Sequence, residues 1–196
     1  LGYARAGVPR SAPVHHFVPD WRTLGVFASG TYPNWLTTPV ERPMAVRDLM
    51  SHQSGLTYGF MNRTNVDAGY VKAGIGSAQL DGGRPREYTL ADMVKDLAEI
   101  PLEFSPGTAW NYSVSTDILG HLIEVISGQR FDDFLRERIF EPLGMVDSGF
   151  SVAEENVDRF AANYNRGPDG KLALADDPAD SAYLKPPTLL SGGGGL

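Results

Sequence analysis

The chain has no cysteine. Disulfide staples, thiol nucleophiles and zinc–thiolate centres are therefore excluded, while no compartment is selected. No apolar run reaches the roughly 18–20 residues of a membrane-spanning helix. The opening LGYARAGVPRSAPV lacks an apolar stretch of signal-peptide length, so cytoplasm and periplasm are equally compatible. Positive charge is sparse: 17 Lys and Arg stand against 24 Asp and Glu, for a formal net charge of −7. Nucleic acid and anionic membranes are expected to be poor partners on that ground. No Gly-Lys-Ser/Thr follows the closing SGGGGL, which is therefore not a phosphate loop. There is no G-x-S-x-G elbow, which argues against an α/β-hydrolase. No metal and no organic cofactor are implied.

What remains is ordinary globular material. Hydrophobic residues make up 42% of 196 residues and charged residues 21%, enough for a packed core in one domain or a domain with a subdomain. Residues 1–43 are rich in Pro, Gly and small residues and show no helical period, so they are expected to be largely irregular, with turns at Pro19, Gly30 and Pro33. MAVRDLMSHQ is the first clear helix, with Val46, Leu49 and Met50 on one face and Gly55 placed to end it. Residues 57–88 form a glycine-rich excursion of the length expected for a lid or binding loop.

TLADMVKDLAEI then reads as a helix capped by Thr89, with Asp92 in its first turn and Leu90, Met93, Val94 and Leu97 as its buried stripe. After the SPGT break, the spacing of Ile118, Leu119, Leu122, Ile123 and Ile126 gives a fourth helix, capped by Ser113 or Ser115 and ended by Gly128. FDDFLRERIFEPLGM follows as a shorter helix, stopped by Pro142 and Gly144. Short strands are expected at SGFSV and in RFAANYNRGPDGKLAL, where GPDG has the chemistry to close a hairpin. A lone hairpin buries too little surface to stand by itself, so its sheet partners are expected elsewhere. Uncovered strand edges also make an oligomer possible.

At the start of the fourth helix Tyr112 stands beside Ser113. A tyrosine aimed into a cleft can act as general acid or base, and its ordinary pKa of about 10 needs nearby positive charge for base work near neutrality. The plainer alternative makes Tyr112 a packing residue and Ser113 a cap. Trp110 is open to both packing and a cleft-wall role, and Tyr58 with Phe60 to core packing or an acyl pocket. His52 and Ser54 in SHQSGL, two apart at a helix end, are expected to face different ways and to serve as surface or capping groups.

Taken together, RPMAVRDLMSHQSGL, EFSPGTAWNYSVSTDILGHLIEVISGQRFDDFLRERIFEPLGMVDSGF, NYNRGPDGKLAL and LLSGGGGL resemble, in order, the serine β-lactamase and penicillin-binding-protein superfamily. The closer likeness is to its class C β-lactamase-like branch, which includes esterases. The likeness covers roughly residues 13–196. It implies an α+β fold, a helical subdomain with part of an antiparallel sheet, incomplete at both ends. It implies one partial domain over 1–196, with 44–145 mainly helical, the lid loop at 57–88, and 146–196 leading toward the sheet.

It also implies a mechanism. A serine of a Ser-x-x-Lys helix attacks the acyl carbonyl of a small ester or amide, lysine and tyrosine handle the proton, and water hydrolyses the acyl-enzyme. Tyr112 takes the tyrosine's place, with Ser113, Val114, Trp110 and Tyr58 expected beside the substrate. Val114 stands where β-lactamases of this class typically carry asparagine. Valine offers no hydrogen bonds, which favours the esterase branch. No serine in the chain is followed three residues on by lysine. The nearest pair, Ser181 and Lys185, is one residue too far apart and precedes Pro186 and Pro187. The sequence therefore reads as the middle of a hydrolase without its nucleophile or its Lys-Thr-Gly-type strand, and is expected to be inactive alone. The other class of reading is a non-catalytic module that keeps the cleft for a ligand or partner.

Overall fold

The computed structural model describes residues 7–75 and 88–195. It comprises two compact units. One runs to Phe134 and takes in Thr188–Gly195; the other is Leu135–Pro187.

In the first unit the chain opens with two 3-10 turns, Val14–His16 and Pro19–Thr23. Trp21 is buried and its indole nitrogen donates to the Val94 carbonyl at 2.9 Å. An antiparallel hairpin follows, β1 (Val26–Thr31) with β2 (Asn34–Thr38), its register shifted between Phe27 and Ser29. The far edge of β1 is bonded too: Phe27 N–H donates to Leu102 O at 2.8 Å and Leu102 N–H to Gly25 O at 2.9 Å. The expectation of irregular chain here was wrong. Most strand residues are exposed, so the apolar alternation that betrays a strand is missing.

Helix α1 is only Val46–Met50. Val46 and Leu49 face the core as expected, but Met50 is exposed. The chain leaves α1 through Ser51 and a left-handed His52 (φ +54°), and Gly55 (φ +87°) serves a later turn. A helix also occupies part of the expected loop: α2, Asn65–Ala73, capped by Thr64, whose hydroxyl accepts the Asp67 N–H at 3.1 Å. Val66 and Tyr70 are fully buried. Gly69 lowers the local helix propensity, yet the ring of Trp35 packs where its Cβ would be. The remainder of that excursion, 76–87, lies outside the described residues.

Helix α3 (Leu90–Leu97) is capped as read: Thr89 Oγ1 accepts the Asp92 N–H and the Asp92 carboxylate accepts the Thr89 N–H. Its four expected apolar residues are all buried. Helix α4 (Ser115–Ser127) buries Ile118 and Leu122, with Leu119 and Ile126 packed at the core edge, and ends at a left-handed Gly128. Helix α5 (Phe131–Leu135) begins next, and Phe131 lies against Gly120, where a side chain would crowd its ring.

In the second unit a π turn (Arg136–Phe140) runs into a last helical turn, Glu141–Leu143. Pro142 has no N–H with which to continue the usual ladder. Hairpin β3 (Asn163–Arg166) with β4 (Leu172–Asp176) forms where expected, closed over GPDG by Gly167 N–H to Lys171 O at 2.8 Å. SGFSV is not a strand. Next to it the Arg159 guanidinium grips Asp147 at 2.6 and 3.2 Å, and Val152 N–H donates to Tyr183 O. Ser181 donates to Asp176 at 2.8 Å and caps the 3-10 turn Ala182–Leu184. Among the described residues no helix is long and apolar enough to cross a membrane.

Candidate active site

Two segments of the first unit, HQSGLTY after α1 and PGTAWNYS before α4, run side by side. Gly107 N–H donates to Gln53 O at 2.8 Å, Asn111 N–H to His52 O at 2.9 Å, and Val114 N–H to Thr57 O at 3.3 Å. The PGT turn rests on Arg42, whose guanidinium fills the space a side chain at Gly107 would need; Gly107 itself has φ +87°. Arg42 is held in turn by a two-pronged bond to the buried Asp48 at 2.7 and 2.8 Å, and Asp48 also accepts the Ala45 N–H. Residues flanking α1 thus set the path of the chain that carries Tyr112.

Asn111 fixes the last step. Its amide nitrogen donates to Leu56 O at 3.1 Å and its Oδ1 accepts from Arg63 at 2.7 Å. With both ends of its side chain and its backbone N–H engaged, Asn111 leaves little freedom to the residue after it. Tyr112 emerges from that anchor 40% exposed, neither core residue nor free rotor.

The phenol of Tyr112 belongs to a row of rings. The His52 ring lies 6.1 Å from Trp110 and 5.1 Å from Tyr112; Tyr58 lies 5.1 Å from Tyr112 and stacks on Phe60 at 4.8 Å. Trp110 is 65% exposed and Phe60 61%, so the row is open at both ends and closed beneath. Trp110 and Tyr112, both beside the His52 ring, and Tyr58 beside Tyr112 therefore come together. His52 and Phe60 join them; the surface or capping reading of His52 did not give it that place, whereas Phe60 was open to core packing or an acyl pocket. The left-handed turn at His52 swings its ring under Tyr112, and nothing in the SHQSGL spacing signals that turn.

Ser113 and Val114 are fully buried beneath the row. Ser113 Oγ lies 3.2 Å from His52 Nδ1 and 2.8 Å from Ser115 Oγ, which is 2.8 Å from Ser54 Oγ. His52 and Ser54, expected to face apart, end on one chain of hydroxyls. Val114 sits in the hydrophobic core with Ile118 and Leu122. Expected as substrate contacts, both are instead closed off from solvent in this arrangement.

A second polar group adjoins the row. The buried Asp117, in the first turn of α4, accepts from Ser191 Oγ at 2.6 Å and from Gly193 N–H at 3.4 Å. The glycine run allows a close backbone approach: Cβ atoms at Gly192 and Gly193 would lie 2.7 Å from Thr116 O and from the Tyr58 hydroxyl. Burial, then the charge of Asp117, raises the Tyr58 pKa well above its ordinary value. Burial likewise raises that of Asp117, against the hydrogen bonds from Ser191 and Gly193. Burial lowers that of His52, favouring the neutral imidazole.

Residues 8–196 match the family model described as Beta-lactamase. This chain belongs to the beta-lactamase family. Esterase EstB of Burkholderia gladioli is 32% identical over 173 residues, which are 88% of this chain and 39% of that protein. Lovastatin esterase of Penicillium rubens is 31% identical over 141 residues, 71% of this chain and 33% of its own length. The structure is similar to that of a mutant of simvastatin synthase (LovD) from Aspergillus terreus. That match has a TM-score of 0.72 and 26% identity, and covers 98% of this chain and 42% of the synthase. The family member described here thus spans well under half the length of the relatives it matches. Its helices and short antiparallel sheets are those of the β-lactamase and transpeptidase-like fold.

Proposed function

We propose that this chain supplies the tyrosine arm of a serine hydrolase that acts on a small ester or amide through an acyl-enzyme. The observation that carries the reading is the placement of Tyr112: its phenol is partly exposed, backed by His52 and Tyr58, on a backbone pinned by Asn111. Family membership and the esterases among the relatives support it. In this reading Tyr112 takes the proton of the serine hydroxyl as that oxygen bonds to the acyl carbon, and gives it to the leaving-group oxygen as the ester bond breaks. The nucleophile is a serine of a Ser-x-x-Lys pair, and these 196 residues contain no such pair. It therefore comes from chain outside them, as does the Lys-Thr-Gly-type strand.

The test is ester turnover by the complete gene product, with p-nitrophenyl butyrate as probe. Tyr112→Phe should lower kcat by about two orders of magnitude, the usual worth of a positioned acid or base. Residues 1–196 alone should form no covalent adduct by mass spectrometry. Wild-type turnover in Tyr112→Phe would refute the role of the tyrosine. An adduct on the short chain would refute the external nucleophile. The missing Ser-x-x-Lys pair also favours a second reading, a binding module of the same fold without catalysis. A complete gene product that binds esters but never acylates would establish it.

A further inference from the structure

The hydroxyl chain behind His52 fixes where its protons lie. Ser54, Ser113 and Ser115 are fully buried. Ser54 Oγ meets Ser115 Oγ at 2.8 Å, Ser115 Oγ meets Ser113 Oγ at 2.8 Å, and Ser113 Oγ meets His52 Nδ1 at 3.2 Å. The other contacts of these hydroxyls are backbone N–H groups, Leu56 to Ser54 at 3.2 Å and Ser115 to Ser113 at 3.4 Å, and an N–H can only donate. Three hydroxyl protons therefore have three links to fill. Among the described residues Ser54 has one acceptor in reach, Ser115. Ser115 must then donate to Ser113, and Ser113 to His52 Nδ1. A proton on Nδ1 would run the chain the other way and strand the Ser54 O–H in the interior, where an unmade hydrogen bond is costly. Neutral imidazole carries one N–H, so with Nδ1 accepting, the proton sits on Nε2. Burial of the ring favours the same neutral form.

Nε2 has no partner among the described residues and is not closed off from solvent. The ring that carries it lies 5.1 Å from Tyr112 and 6.1 Å from Trp110, both of them exposed. We propose that the three serines hold His52 as an Nε2–H donor, and that this donor binds an oxygen of the acyl group brought to Tyr112. The Nδ1 lone pair is spent on Ser113 and Nε2 already carries its proton, so His52 gives a hydrogen bond and has no free base nitrogen. It binds substrate and leaves proton transfer to Tyr112. This inference rests on the function proposed above for Tyr112.

The experiment is nitrogen NMR on the complete gene product labelled with 15N-histidine, near neutral pH. His52 Nδ1 should show the shift of a bare, hydrogen-bonded nitrogen and Nε2 that of an N–H. The reverse assignment overturns the proposal. In Ser113→Ala the donor to Nδ1 is gone, and both shifts should move toward intermediate values as the two tautomers mix; unmoved shifts overturn the part given to the serines. Binding is probed with butyrate, the acid released from a butyrate ester. It should displace the Nε2–H resonance, and a resonance that stays still throughout the titration overturns the substrate contact. His52→Asn supplies the kinetic readout. Asparagine tolerates the left-handed backbone at this position and its side-chain carbonyl can accept from Ser113, but it has no counterpart of Nε2–H. It should raise KM for p-nitrophenyl butyrate about fivefold, the loss of one neutral hydrogen bond, with the melting temperature held. Unchanged KM overturns the proposal. If His52→Asn does not fold, the butyrate titration decides. A complete gene product without turnover overturns the functional reading, while the tautomer and the butyrate displacement still decide this one.

Discussion

Arg63 Nη2 lies 2.7 Å from Asn111 Oδ1 and so ties the chain just before α2 to the residue preceding Tyr112. Arg63 is itself steered by Asp67, which accepts the Arg63 backbone N–H at 2.8 Å and the Thr57 hydroxyl at 2.6 Å. Removing the amide by Asn111→Ala leaves the Leu56 carbonyl and the Arg63 guanidinium without these partners. We expect a stability loss of about 1–3 kcal/mol in urea denaturation. Ester turnover should fall as well, because Tyr112 loses its anchor.

Arg42→Ala should destabilise the protein and loosen the PGT turn that leads to Tyr112. Asp48 is buried and would keep only the Ala45 N–H of its three contacts. Breaking a fully buried ion pair costs about 3–5 kcal/mol, and the partial exposure of Arg42 brings the expectation to about 2 kcal/mol. Arg42→Lys should recover only part of it, since an ammonium cannot grip both carboxylate oxygens in the same geometry. Denaturant midpoints of the two variants check this.

Val114→Asn places the residue typical of class C β-lactamases in this chain, and we expect it to destabilise rather than to confer lactam hydrolysis. The side chain has no solvent access and belongs to the buried hydrophobic core that includes Leu56, Ile118 and Leu122. An amide buried there without partners costs about 1–3 kcal/mol. Nitrocefin turnover at wild-type stability would contradict the expectation.

Gly55→Ala tests the turn between α1 and the ring row. Gly55 has φ +87°, and a Cβ there would strike the Phe104 carbonyl oxygen, a backbone atom with little room to move. The positive φ and the clash together should cost more than about 2 kcal/mol. Thermal unfolding is the readout, and a shift of under a degree would mean that the turn relaxes freely.

His121 should make stability fall toward acid pH. Its Nδ1 is buried without a hydrogen-bond partner among the described residues, and burial holds its pKa below the usual 6.5. Glu124 Oε2, at 4.0 Å, does not offset that burial. A lowered folded-state pKa gives stability that is full above the ordinary value and is lost as pH falls through the folded one. Between pH 7 and pH 5, His121→Leu should therefore lose less melting temperature than wild type. Parallel curves would show that His121 does not carry the effect.

The parts of the fold legible in the sequence were those with strong local signals. Thr89 and Asp92 cap α3 because their spacing allows no other reciprocal pair, and Ile118 and Leu122 mark α4 by helical period alone. GPDG gave away its hairpin through turn chemistry. The misses share a cause. β1 and β2 have mostly exposed residues and hence no alternation, and α2 carries a glycine that is useful only because Trp35 packs on it. Met50 falls on the expected apolar face but faces solvent because α1 stops there. In the ring row, Tyr112, Trp110 and Tyr58 stood among the expected site residues, and Phe60 had been open to an acyl-pocket role. His52 had not, since its place beside Tyr112 depends on segments far apart in the chain.

The sequence by itself determined the family and helices α3 and α4, because these follow from the order of short motifs and from spacing within single segments. The tertiary structure decided which side chains surround that tyrosine. It buried Ser113 and Val114, brought the His52 ring beside that of Tyr112 through a left-handed turn, and brought Asp117 to Ser191. Those contacts join residues up to 74 positions apart. They are selected by packing and by the need to satisfy buried polar groups, and neither leaves a periodic trace along the chain.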